Sequence, residues 1–325
     1  MLEQLKAFQP DLIHLHNLHG YYLDIRPLFA WLKESGIPVV WTLHDCWAFT
    51  GHCAHYTSVS CDRWKRECRD CPALLHYPPT FNRHHTEENR KRKEALFASL
   101  DPSSMVIVTP SRWLKEEASQ SFLNRYEICT IPNGIDINTF TPRDSSFRAA
   151  HQLEGRYVIL AAAGSWYKEK GTEDLIRLSN RLPEGSDLVV VGASGSFAQK
   201  LKGEHVLVLP RTESAEELAE IYSASDIFVN LTQEDTFPTV NLEAQACGCP
   251  ILTYAAGGST ETVREGTGAS AEAGNLDALI GMIKDNMDGR IRFDRSACET
   301  NGKQYSREAM IEGYQALYRR MEKRN

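Results

Sequence analysis

Short apolar runs alternate with helix-length stretches along most of this 325-residue chain, the pattern of parallel strands covered by crossover helices. In the first half the runs predict strands over 11–15, 39–43, 105–109 and 128–131, with amphipathic helices over 22–33 and 113–122. The pattern breaks at Pro132-Asn-Gly-Ile-Asp-Ile-Asn-Thr-Phe-Thr-Pro-Arg-Asp, where two prolines, a glycine and turn-forming Asn and Asp predict a boundary. It resumes with strands over 157–163, 187–191, 205–209, 226–230 and 250–254, and the stretch 295–324 is helical in composition and basic at its end. The expected class is α/β. Two Rossmann-like domains are expected over 1–134 and 151–305, with a linker over 135–150 and a C-terminal helix over 306–325 that crosses back to the first. The first domain is expected to be incomplete, because no earlier strand or glycine-rich turn precedes the strand over 11–15.

The densest chemistry lies in Gln233-Glu-Asp-Thr-Phe-Pro-Thr-Val-Asn-Leu-Glu-Ala-Gln-Ala-Cys-Gly-Cys-Pro, followed by Gly257-Gly-Ser-Thr-Glu. This string follows a predicted strand and opens a predicted helix, a junction where ligands bind and free backbone N–H groups suit a diphosphate. Asp235 and Glu243 are eight positions apart, so the first lies in the turn and the second about one turn into the helix. Two carboxylates so placed would grip sugar and ribose hydroxyls around the phosphates, although either alone is equally explained by the helix dipole. A second element, Gly164-Ser-Trp-Tyr-Lys-Glu-Lys-Gly, follows the first strand of the second half. There Lys170 is the cation expected to meet a developing diphosphate charge, against the alternative of a solvated lysine at a helix start. Val189-Val-Val-Gly-Ala-Ser-Gly-Ser is a weak dinucleotide motif, with no third glycine.

Together these strings resemble the donor site of glycosyltransferase family 4. The resemblance runs from the Pro10-Asp-Leu-Ile-His strand to the C-terminal helix and is nearest to bacterial enzymes that build exopolysaccharide, colanic acid or O-antigen. It implies a GT-B fold, two Rossmann-like domains facing across a cleft. It also implies a retaining hexosyltransferase that takes a UDP- or GDP-sugar and needs no cofactor for catalysis. The acceptor would be a saccharide or a lipid-diphosphate-linked saccharide. Donor-binding residues would be Gly164, Ser165, Lys170, Arg211, Asp235, Thr236, Phe237, Pro238, Thr239, Val240 and Glu243. Ser165 stands where many members carry arginine, and Asp235 takes the spacing usually held by Glu, with Glu234 one position early. In the first half, Ile13-His-Leu-His-Asn-Leu-His-Gly and Trp41-Thr-Leu-His-Asp-Cys-Trp repeat histidines, His14, His16, His19 and His44, at the ends of two predicted strands, at carboxyl edges facing the expected cleft. The resemblance places His44 against the transferred sugar, with Asp45 orienting it or taking the acceptor proton, and His14 and His16 on the acceptor side. Catalysis would then rest on His44, Asp45, Lys170 and Asp235. Two further readings follow from the short first domain and the fold: a nucleotide-sugar-binding fragment that transfers little, and a GT-B nucleotide-sugar epimerase.

Composition narrows the picture in three ways. A net charge of −7 argues against a nucleic-acid partner, whose footprint is a basic domain. No apolar run approaches the roughly 20 residues of a membrane span and the opening lacks a signal peptide, which points to the cytoplasm. Of nine cysteines, Cys53, Cys61, Cys68 and Cys71 crowd one stretch, the last two as Cys-x-x-Cys. A structural zinc is expected there, with His52 or His55 as a substitute ligand; free thiols, a disulfide and an iron–sulfur site remain open. Around them run Arg63, Lys65, Arg66 and Arg69, then Arg83, Arg90, Lys91, Arg92 and Lys93. Such a run is either a solvated face or a patch for peripheral contact with the inner face of the membrane.

Overall fold

The computed structural model describes residues 2–20, 22–82 and 85–323. Arg83 of the basic run and Arg324 of the expected helical tail lie outside them. The chain divides into two compact units, one running to Pro132 and resuming at Met310, the other spanning Asn133–Ala309.

In the first unit the order is α1 (Leu2–Phe8), β1 (Ile13–Leu15), α2 (Ile25–Ser35), β2 (Val39–Thr42), α3 (His85–Phe97), β3 (Met105–Thr109), α4 (Arg112–Ser119) and β4 (Glu127–Thr130). The four strands form one parallel sheet in the order β1-β2-β3-β4. Asp24 caps α2 by accepting from the Arg26 N–H and Ser111 caps α4 by accepting from Leu114. Val39, Val106 and Ile107 are fully buried, as befits strands covered on both faces. Beneath the sheet Trp41 packs edge-on against Phe29 and Phe97, with ring centroids 6.0 and 4.8 Å away. Each such ring is worth about 1.5–3 kcal/mol of burial.

The helix α3 was not expected from the sequence. Its inward residues include Thr86, Arg90 and Lys93, so it carries no apolar stripe for periodicity to detect. Ion pairs one turn apart, Glu87 with Lys91 and Glu88 with Arg92, both at 2.6 Å, support its outer face. Among the described residues of the second half of the basic run, Arg90 and Lys93 are buried, and Lys91 and Arg92 are paired with acids on the same helix.

The second unit continues with α5 (Phe147–Ala150), β5 (Tyr157–Ala162), α6 (Thr172–Ser179), β6 (Ser186–Val191), α7 (Gly195–Lys200), β7 (Val206–Leu209), α8 (Ala215–Ala224), β8 (Ile227–Asn230), α9 (Thr239–Ala246), β9 (Ile251–Tyr254), β10 (Gly268–Ala271), α10 (Leu276–Met287) and α11 (Arg295–Lys303). Its parallel sheet runs β10-β9-β8-β5-β6-β7, so the strand order reverses beside β5, the switch point at which such sheets bind ligands. The stretch 135–150, expected as a linker, places Ile135 and Phe140 in this unit's core. The expected helical tail is two helices, α11 and then α12 (Arg307–Glu322). From Met310 onward α12 belongs to the first unit, where Leu317 and Met321 pack against Val40, Val106 and Val108.

Candidate active site

In the second unit, Lys170 ends a short 3-10 turn, Lys168–Lys170, closed by Gly171 in the left-handed conformation, φ 79°. A Cβ on Gly171 would stand 2.2 Å from the Leu231 carbonyl oxygen, so only glycine lets this turn lie against the loop leaving β8. That contact aligns two segments: the Gln233 N–H donates to Glu169 O at 2.8 Å, and the Lys170 ammonium donates to Asp235 Oδ2 at 2.8 Å. Asp235 Oδ1 accepts from the Phe237 N–H at 3.1 Å, which fixes the carboxylate's aim. Burial works against the charge on Lys170, but Asp235, Tyr167 and Glu234 together outweigh it and the ammonium's pKa is raised. Glu234, the alternative acid, is buried one position earlier.

Glu243 lies one turn into α9, and that helix is held by side-chain amides. Asn230 donates to Asn241, Asn241 to Thr262 and Asn301 to Gln245, at 2.9, 2.9 and 2.6 Å. Glu243 lines a cavity of about 390 Å³ with Gly164, Arg211, Ser214, Tyr222 and Val240. Burial pushes its carboxyl up to about 7, against the lowering effect of the Thr239 and Tyr222 hydroxyls. Thr236, Phe237 and Pro238 are buried in the turn before α9, so their contribution to a ligand is shape and backbone. Ser165 and Arg211 are exposed, Arg211 at the cavity's rim.

Tyr222 and the start of α8 were missed in the sequence. The signal was present as Ser214-x-x-Glu217, a capping box: Ser214 Oγ accepts from the Glu217 N–H at 3.1 Å and Glu217 Oε2 from the Glu213 N–H at 2.7 Å. That helix start opens on the cavity, where its N–H groups favour an anion.

In the first unit the strand-end histidines form a chain with different duties. Both ring nitrogens of His14 are engaged, Nδ1 with the Tyr318 hydroxyl at 2.6 Å and Nε2 with Thr42 Oγ1 at 2.8 Å. Burial, then His16 and His44, lower its pKa to about 4. His14 thus secures α12 on the sheet. His16 Nδ1 meets His44 Nε2 at 2.9 Å, and burial lowers the pKa of both rings. Asp45 accepts from His19 Nε2 at 2.6 Å and from the Trp47 N–H at 2.8 Å. Although burial raises its pKa, these partners lower it on balance. His19, part of the histidine string read from the sequence but given no role of its own there, therefore holds the carboxylate next to His44.

Two open parallel sheets with these helices define a GT-B protein. Sucrose-phosphate synthase from Thermosynechococcus elongatus superposes with a TM-score of 0.74 at 19% identity, over 98% of this chain and 76% of that one. Anabaena HepE in complex with UDP-glucose gives 0.64 at 18% identity, over 97% and 84%. Protein-family models described as Glycosyltransferase Family 4 and Glycosyl transferases group 1 match residues 1–139 and 144–305, and the chain belongs to these glycosyltransferases. Among relatives, WcaC of Escherichia coli (strain K12), a glycosyl transferase assigned to colanic acid biosynthesis, is 24% identical over 96% of this chain and 77% of its own. A D-inositol 3-phosphate glycosyltransferase of Mycobacterium sp. (strain KMS) is 30% identical over 85% of this chain, which spans 64% of that relative's length. Among the described residues no helix is long and apolar enough to cross a membrane.

Proposed function

We propose that this chain transfers a sugar from a nucleoside diphosphate sugar to a saccharide or lipid-linked saccharide acceptor, with retention at the anomeric carbon and no metal ion in the chemical step. The observation that carries the reading is the Lys170–Asp235 pair, held against the α9 turn by the Gly171 contact. The pair presents a fixed ammonium for the diphosphate and a carboxylate for the sugar hydroxyls, with the Glu243 carboxyl left for the ribose. As the anomeric C–O bond to the diphosphate breaks, the ammonium meets the charge left on the departing oxygen, work that a divalent ion would otherwise do. The acceptor oxygen bonds to the same face, and its proton passes to the departing diphosphate. His44, and Asp45 through His19, are assigned to the acceptor side. HepE's complex with UDP-glucose supports the donor class, and the likeness to WcaC supports surface-polysaccharide synthesis.

Saturation-transfer NMR with UDP-glucose and GDP-mannose, followed by transfer assays in EDTA with NMR of the product's anomeric proton, tests this reading. Binding, turnover in EDTA and retained configuration are expected. An inverted product would overturn retention, a strict need for added divalent ion would overturn the metal-free step, and absence of binding would overturn the donor site.

Proton linkage gives a further prediction. Ribose hydroxyls donating to Glu243 favour its carboxylate, so the bound state titrates below the free value near 7. Between those two values binding releases a proton, and donor affinity rises with pH until about 7 and then levels. Calorimetry in buffers of different ionisation enthalpy should show this release, and Glu243→Gln should lack it; proton uptake by the wild type would contradict the assignment.

A further inference from the structure

The irregular segment after β2 carries a cluster that the transfer chemistry does not use. Cys53, Cys61, Cys68 and Cys71, together with His52, line one small cavity of about 10 Å³, close to the space of a single water-sized sphere. Cys53 and Cys68 are buried and Cys61 and Cys71 half-buried. The surroundings are built toward the sulfurs. Cys68 Sγ accepts from the Gly51 N–H at 3.2 Å, and Gly51 leaves no room for a side chain, since a Cβ would meet Thr86 O at 2.6 Å and Cys68 Cβ at 2.8 Å. His52 donates from Nδ1 to Pro78 O at 3.0 Å, which turns Nε2 toward Cys71 Sγ at 3.2 Å.

Charge supplies the second argument. The inward face of α3 buries two cations beside these sulfurs. The Lys93 ammonium donates to Trp47 O and Thr50 O at 2.6 and 3.2 Å and lies 3.7 Å from the Trp47 ring centroid. Arg90 Nε donates to Trp64 O at 2.8 Å and its Nη1 to Glu94 Oε2 at 3.2 Å. Burial raises the Cys53 and Cys68 thiols on balance, and Lys93 is close enough to both, and Arg90 to Cys68, for their charges to act against that rise. A buried cation is stable when an anion faces it. Four thiolates around a divalent ion carry a net charge of about −2, which the buried Lys93 offsets in part, Arg90 being already paired with Glu94.

We propose that Cys53, Cys61, Cys68 and Cys71 form a structural site for a zinc-class divalent ion, with the proton that Cys71 gives up held on His52 Nε2, which then donates to the Cys71 sulfur as the outer partner. As the side chains stand, no group of three or more His, Cys, Asp or Glu among the described residues could hold a metal ion. Closure requires the cysteine side chains to rotate into the cavity they already line. The ion would pin the segment that opens at Asp45: the Cys46 N–H donates to Ala54 O at 2.8 Å and the Ala54 N–H to Tyr77 O at 2.9 Å, so the cluster braces the backbone beside the acceptor-side acid.

The test is elemental analysis of the full chain purified without added metal, with thiol titration before and after denaturation. About one zinc per chain is expected, with the four cysteines unreactive until the ion is released. Cobalt replacement should give the intense visible bands of tetrahedral thiolate ligation. His52→Ala is expected to keep the site with affinity lowered about 10–100-fold, and Cys129→Ser, a cysteine outside the cluster, to leave it unchanged. Where Cys68→Ser fails to fold, the wild-type metal count and cobalt spectrum decide. A reduced wild-type protein that takes up neither zinc nor cobalt, disulfides among the four residues in peptide mass maps, or iron with acid-labile sulfide would each overturn the proposal.

Discussion

Lys170→Ala is expected to lower the turnover number about 10²–10³-fold, the usual loss when one preorganised charge-stabilising donor is removed. The ammonium is fixed by a 2.8 Å bond to Asp235 and is only partly exposed, at 26% of its side chain. Its pKa lies above the ordinary lysine value because Asp235, Tyr167 and Glu234 together outweigh burial, so it stays charged across the working pH range. Charge on the diphosphate grows as the anomeric bond breaks, so the loss belongs mainly in kcat rather than KM. UDP affinity should fall much less than turnover. Lys170→Arg keeps the charge but spreads it over a planar fork on a longer side chain, so its activity should fall between wild type and alanine. Steady-state kinetics with calorimetric UDP binding separates these cases. An unchanged kcat with a raised KM would make Lys170 a ground-state phosphate contact, and unchanged values of both would remove it from the site.

Much of this architecture was legible because buried parallel strands are short apolar runs with clear ends: Met105–Thr109 matches the expected strand end to end, and Ser186–Val191 and Tyr157–Ala162 differ by one residue. Elements held together by other means were not visible. β10 is Gly268-Ala-Ser-Ala, a strand of small residues that pairs with β9 without offering an apolar run. α3 buries Arg90 and Lys93, so its sequence reads as a solvated charge run although two of its cations face inward. The break between α11 and α12 was hidden by continuous helical composition, although Asp294 marks the start of α11 by accepting from the Ser296 and Ala297 N–H groups. Within the candidate site, the strings around Lys170, Asp235 and Glu243 were readable because each requires a fixed spacing at a strand–helix junction. Tyr222, which lines the cavity beside Glu243, was not, and His19 was visible in its histidine string without its role, because both places depend on tertiary packing.

Gly171→Ala is expected to combine lost stability with lost donor binding. At φ 79° any residue with a Cβ is strained, and here the Cβ also meets Leu231 O at 2.2 Å and Leu231 Cβ at 2.6 Å. Backbone strain and overpacking together come to about 2–5 kcal/mol, a fall of roughly 5–15 °C in the melting temperature for a unit of this size. The obstruction is backbone that a rotamer change cannot clear, so the turn carrying Lys170 must move away from the loop carrying Asp235. Gly155→Ala is the control: its φ is 72°, but nothing lies within 4 Å of the added Cβ, so it suffers strain alone. Calorimetric melting should show the larger drop in Gly171→Ala, and UDP binding should weaken in that variant and not in Gly155→Ala. Equal drops with donor binding intact in both would mean that the Gly171–Leu231 contact does not set the position of Lys170, and the turn would have to be regarded as an ordinary αL connection between β5 and α6.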